Sequence, residues 1–288
     1  THTLFTRANQ AVPNNYLAQC LLSGYLRDEK RIDDALAMSH EAAVTAPNSG
    51  GAHRQYALSL QVAGRRKEAL HELRLAVQLN PTDFNVFNDI GGVLVEEGRD
   101  DQALEMFQRA VAMEPDFAMA RHNLAVMLAN KGRMDEAIAH WRVAEQLEPA
   151  NGIVHGFLGE ALRLRGDRRG AVTEYAAMWA SKDHRPEWET NYAWLVATDP
   201  ISSPEEIDLA VGAARDACTS APADQKALAQ DALAAALARA GQFNDAGAAA
   251  QQGVDLANAA GQPALAKAIT ARSALYRAGQ PYFEQPKR

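Results

Sequence analysis

Small, large and polar residues recur along this chain in one fixed order, with a step of 34 residues. Let Pro13, Pro47, Pro81, Pro115 and Pro149 mark position 32 of a 34-residue unit. Position 8 is then small: Ser23, Ala57, Gly91, Ala125 and Gly159. Position 11 is Leu26, Leu60, Leu94, Leu128 and Leu162. Position 20 is Ala35, Ala69, Ala103, Ala137 and Ala171. Position 24 is bulky as Leu73, Phe107, Trp141 and Tyr175, and only the first unit departs, with Ser39. Apolar residues three and four apart predict one amphipathic helix in each half of the unit. Small residues belong where the two helices cross, and the bulky residue fills the gap beside them. Position 15 lies between the halves and is Gly64, Gly98, Gly132 and Gly166, with Lys30 in the first unit. Glycine suits a turn that needs a free backbone. A helix–turn–helix unit repeated this way stacks into a solenoid, because each unit buries its apolar face on its neighbours.

Helix starts agree with the period. Asn48, Thr82, Asp116 and Ala150 follow the prolines, and most of them can cap the next helix. Asp33, Asp101 and Asp135 fall in the first turn of the second helices, where the dipole favours negative charge. This period and pattern resemble the tetratricopeptide repeat. The resemblance implies an all-α fold, a right-handed superhelix of about seven helix–turn–helix units with a C-terminal capping helix.

Five regular units are expected over residues 16–185. An irregular unit follows over 186–225, with Asn191, Ala193 and Val196 at positions 6, 8 and 11. Its extra residues lie in Asp199–Pro204, read as an extended loop from its prolines. A further repeat-like unit spans 226–260, and residues 261–288 give a capping helix and an extended tail. Residues 1–15 read as the second helix of a truncated repeat, since Phe5 and Ala8 fit positions 24 and 27. The expectation is a fragment of a longer polypeptide; the alternative is a native end that frays or is covered by a partner.

Three stretches narrow the resemblance: Leu4–Ala8 leading to Pro13–Ala18, Asn191–Pro200, and Leu275–Tyr282. In this order they resemble the C-terminal repeat region of bacterial membrane proteins similar to protein O-mannosyltransferases. That family's catalytic residues sit in a membrane part, and none maps onto this chain. The resemblance implies a tethered, extracytoplasmic location and service to a transferase; without it, the cytoplasm is the default.

Charge and composition remove other classes. The net charge is −7 and no basic run exists, so the phosphate-neutralising footprint of nucleic-acid binding is missing. No apolar stretch reaches membrane-spanning length. Cys20 and Cys218 fall in different units and read as small buried hydrophobes. The eight histidines include no pair four residues apart that would place two metal ligands on one helix face. Gly91-Gly92 reads as packing, Arg165-Gly166-Asp167 as the turn of the fifth unit, and Asp183-His184 as a solvated loop. No catalytic, cofactor or metal site is expected, and an enzyme is the remote alternative.

The tetratricopeptide resemblance implies that the first helices line a groove with positions 2, 5, 6, 9, 12 and 13. The candidate binding residues are Arg27, Arg54, Gln55, Asn85, Asn88, Asp89, His122, Asn123, Arg163 and Asn191. The broken run of carboxamides at position 6 resembles the groove of O-GlcNAc transferase. A side-chain amide offers a donor and an acceptor and so matches a peptide unit without reading its sequence. The expected partner is a protein or an extended peptide. The alternatives are merely solvated polar positions, or an assembly module that self-associates through its open ends.

Overall fold

The computed structural model describes residues 15–181, 183 and 185–284. Of the expected truncated repeat over residues 1–15 all but Asn15, and with them His184, lie outside the described residues. Among the described residues there are fifteen helices and no strand. They fall into two compact units that divide between Leu147 and Glu148.

The first unit holds α1 (Tyr16–Asp28), α2 (Ile32–Thr45), α3 (Gly50–Val62), α4 (Arg66–Leu79), α5 (Phe84–Glu96), α6 (Asp100–Met113), α7 (Ala118–Asn130) and α8 (Met134–Leu147). These are four helix hairpins. Their cores are the periodic residues: Ala57, Leu60, Ala69 and Leu73 are wholly buried, and so are Ala103, Ala125 and Ala137. Phe107 and Trp141 fill the gap beside them and are also buried. Where position 24 is Ser39, the hydroxyl donates to the Ala35 carbonyl at 2.8 Å and satisfies itself within its own helix.

The turn between paired helices is left-handed. Gly64, Gly98 and Gly132 have φ of 77°, 72° and 75°, and Lys30 takes the same conformation at 61°. The helix caps fall one residue later than the sequence indicates. Asn15, Ser49 and Asp83 cap α1, α3 and α5 through their side chains, accepting from the backbone N–H of Ala18, Ala52 and Asn85. Phe117 stands at the same place before α7 and makes no side-chain cap. The reason is the turn after the proline, which uses residues such as Asn48 and Thr82 before the helix begins.

The second unit holds α9 (Gly152–Leu164), α10 (Arg168–Ala180), α11 (Pro186–Thr198), α12 (Pro204–Ser220), α13 (Lys226–Arg239), α14 (Phe243–Ala259) and α15 (Pro263–Arg277). The stretch between α11 and α12 is a turn rather than an extended loop. Asp199 Oδ1 accepts from the Ile201 N–H at 3.1 Å, and Arg239 donates to the carbonyls of Asp199 and Pro200. Ser203 and Glu206 then form a reciprocal capping box that starts α12. Helix α13 is buried through alanine: Ala227, Ala229, Ala232, Ala234, Ala235, Ala236 and Ala238 all lie in the interior.

A second device repeats at position 4 of the first helices. The His53 Nδ1 lies 2.7 Å from Glu72 Oε2, and its Nε2 lies 3.0 Å from the Pro47 carbonyl oxygen. His155 makes the same pair of contacts to Glu174, at 2.8 Å, and Pro149, at 3.0 Å. In both rings each nitrogen therefore lies within hydrogen-bond distance of an oxygen. In the fourth repeat the same position is Arg121, which donates to the Pro115 carbonyl and approaches His140. Each clamp ties the proline turn to the second helix of the same hairpin.

Candidate functional site

In the first unit the candidate residues are brought together by repetition. Position 5 of one first helix meets position 6 of the next. Arg54 on α3 donates through Nε to Asp89 Oδ2 on α5 at 2.5 Å. Asn123 on α7 donates through Nδ2 to Asn88 Oδ1 on α5 at 2.9 Å. On α1, Arg27 likewise reaches the next first helix, donating to Gln55 Oε1 at 2.8 Å and Ser59 Oγ at 3.1 Å. A further rung joins Gln61 to Glu96 at 2.7 Å, with Arg66 on the same carboxylate.

The face is therefore a ladder of polar rungs rather than a row of isolated side chains. Burial is appreciable: Asn88 is buried, and Arg54, Gln55, Asp89 and Asn123 are half-buried. Burial raises the Asp89 carboxyl above its ordinary value, against the opposing pull of Arg54. Two candidates turn away from the ladder. Asn85 folds back on its own cap, donating to Asp83 Oδ1 at 3.0 Å. His122 accepts from the indole Nε1 of buried Trp141 at 3.2 Å, which leaves the ring's Nε2 as the protonated nitrogen.

Apolar residues flank the rungs. Leu17, Leu21, Val62, Val95 and Met119 are exposed large hydrophobics, and all five stand at groove positions 2, 6, 12 or 13. Met119, 58% exposed, accepts a weak contact from Asn88 Nδ2 at 3.7 Å. A scattered exposed leucine is ordinary on any surface and marks no site by itself. Their shared register was the available signal.

In the second unit, Arg163 and Asn191 converge on one carboxylate. Glu160 on α9 accepts from Arg163 at 2.6 and 2.9 Å, from the Tyr175 hydroxyl at 2.7 Å and from Asn191 at 3.2 Å. Burial pulls Glu160 upward, but these donors outweigh it and hold the carboxyl below its ordinary value. Burial and the same carboxylate push the Tyr175 phenol well up.

Neither cysteine is fully buried, contrary to expectation: both are half-buried free thiols, and Cys218 packs against the cluster of Ala217, Ala221 and Ala229. Burial still pushes Cys218 up to about 11, far from a reactive thiolate. The cleft at the tips of α3–α6 is lined by Arg65, Arg66, Glu68, Glu96, Glu97 and Arg99. These charges pair among themselves, as in Arg65–Glu68, Arg66–Glu96 and Arg99–Glu97. Among the described residues, no helix is long and apolar enough to cross a membrane.

Comparison with known proteins bears on the fold. A sequence family described as a tetratricopeptide repeat matches residues 94–143. No curated protein sequence matches the chain. Among solved structures, a chain of the APC/C hetero-tetramer Cut9–Hcn1 is similar with a TM-score of 0.66 and 19% identity. That match covers 81% of this chain but only 45% of the other, so this chain spans less than half of that neighbour. PilF of Pseudomonas aeruginosa is similar with a TM-score of 0.63 and 18% identity, covering 72% of this chain and 92% of PilF. The fold is an all-α tetratricopeptide superhelix.

Proposed function

We propose that this chain is a non-catalytic scaffold whose first-helix face in α1–α7 binds an extended polypeptide. One observation carries this reading. Polar rungs that can exchange hydrogen bonds with a peptide backbone alternate there with exposed apolar side chains at fixed register. The amide of Asn123 spends one N–H on Asn88 and keeps further hydrogen-bonding capacity for a peptide unit. Leu17, Leu21 and Met119 supply apolar area for the partner's side chains. Exposed apolar positions concentrated on one face mark interaction surfaces.

The likeness of Asn191–Pro200 and Leu275–Tyr282 to repeat regions attached to O-mannosyltransferase-like proteins supports a finer reading. In it the scaffold belongs to a larger membrane-anchored protein, works on the extracytoplasmic side and holds a polypeptide for a transferase.

The test is capture of a bound partner by the full chain and by Asn123→Ala and Met119→Asp variants, with melting curves to confirm folding. A loss of capture of about tenfold is expected for each, the size of one lost contact of about 1.4 kcal/mol. Unchanged capture by both folded variants overturns the groove reading.

A further inference from the structure

The end of the chain returns to the helices. Gly279, with φ of 70°, turns the backbone after α15, and residues 280–284 run without helical structure. Tyr282 packs against Trp194 on α11 with ring centroids 5.9 Å apart. The Arg272 guanidinium lies 5.1 Å from the Trp194 ring and 5.6 Å from the Tyr282 ring, so one cation serves both π-faces. Buried Asp231 fixes that cation through hydrogen bonds of 3.0 and 2.5 Å. Phe283 receives Arg239 at 5.1 Å. Glu284 pairs with Arg168 at 3.1 Å, and its backbone N–H donates to the Thr198 carbonyl at 3.2 Å.

The partners of this tail follow a pattern. Counting from Ala193 and Ala234 as position 8, Trp194 and Thr198 are positions 9 and 13, and Asp231 and Arg239 are positions 5 and 13. All four except Asp231 take a tail residue directly, and Asp231 positions the arginine that does. The tail thus lies on first-helix positions of the kind that carry the ladder in α1–α7. It is held by one main-chain hydrogen bond and a few side-chain contacts, and Phe283 and Glu284 remain exposed. The slot also has capacity that the tail leaves unused. The Tyr276 hydroxyl and Arg239 Nε are buried and have no hydrogen-bond partner among the described residues.

We propose that this slot is a second polypeptide-binding site, built for a short segment with two adjacent aromatic residues followed by a carboxylate, and that residues 280–284 occupy it as an internal competitor. The rings answer Trp194, Arg272 and Arg239. The carboxylate answers Arg168. A partner segment that also brings acceptors for the Tyr276 hydroxyl and the Arg239 Nε–H displaces the tail, because it makes the same contacts and more. The inference borrows from the function proposed above only the idea that first-helix faces bind polypeptide. Asn123 and Met119 lie in the other unit, so either reading can fail while the other stands.

The experiment uses a fluorescein-labelled peptide with the sequence of residues 280–284, Gln-Pro-Tyr-Phe-Glu. Its anisotropy is followed against the full chain and the full chain carrying Tyr282→Ala and Phe283→Ala. The substituted chain should bind at least tenfold more tightly, since its own tail no longer fills the slot. Adding Arg168→Ala to it should weaken binding at least threefold, and a peptide with both aromatics replaced by alanine should not bind. Equal affinity for the two chains, or no binding to the folded substituted chain, overturns the proposal. Should the substituted chain fail to fold, hydrogen exchange on the unmodified chain decides. Excess peptide should speed exchange of the Glu284 amide, and unchanged exchange overturns the proposal.

Discussion

Lys30 occupies a backbone conformation that the equivalent turns assign to glycine. Its φ of 61° places a Cβ where the left-handed region crowds it against the backbone. Gly64, Gly98, Gly132 and Gly166 hold the same turn without that crowding. Lys30→Gly should therefore stabilise the chain by about 1 kcal/mol, the lower end of the left-handed penalty. Urea unfolding measures this, and an unchanged or lower midpoint contradicts it. The substitution was visible in the sequence as a break in position 15. The partners of the binding-face residues were less visible. Arg54 and Asp89, or Asn88 and Asn123, become pairs only when consecutive units are laid side by side, because each pair spans two first helices. Read one unit at a time, each residue looks like a solvated polar position.

Within a hairpin, positions 8 and 24 set how closely the helices approach. A Cβ at Gly91 would lie 2.5 to 2.8 Å from three ring atoms of Phe107, closer than real contacts allow. Gly159 stands in the same relation to Tyr175, at 2.9 and 3.0 Å. Where position 8 is Ala57, position 24 is the smaller Leu73, and both are wholly buried. Gly91→Ala should destabilise by about 1–3 kcal/mol through overpacking. Adding Phe107→Leu should recover part of that loss, because the two residues share one contact. Denaturant unfolding of both single variants and the double variant checks this; strictly additive effects contradict the shared contact. At this scale the sequence was legible in its period and less so in its details. The caps shifted by one residue because the post-proline turn takes up residues the period does not mark. The histidine clamps were hidden for another reason. The partners of His53 and His155 are Glu72 and Glu174, 19 residues on in the second helix and so on no common helix face with the histidines.

Across the whole molecule, Glu160 ties acidity to stability. Its folded carboxyl lies below the ordinary value of 4.5, held there by Arg163, Tyr175 and Asn191 against burial. The unfolded chain therefore binds more protons near that value than the folded one. Stability from this group is complete above about pH 4.5 and is lost as pH falls through the lower folded value. Glu160→Gln should flatten the acid limb of a melting-temperature profile below that point while leaving its slope near neutrality unchanged. An acid limb as steep as the parent's removes Glu160 from the account. The architecture was legible because a solenoid repeats its local contacts, so one unit's pattern describes the next. The return of the tail to α11 was not, since Glu284 and Thr198 are joined by no periodic signal.

The alanine interior of α13 carries a thermal consequence. A buried methyl group hides much less apolar surface than a leucine and loses no rotamer freedom in doing so. Unfolding around Ala227–Ala238 therefore wets little hydrocarbon per residue, and the heat-capacity increment, which scales with that wetting, is small there. A small increment gives a broad, flat stability curve. The second unit should hold its structure toward low temperature, where a leucine-rich core loses its hydrophobic driving force sooner.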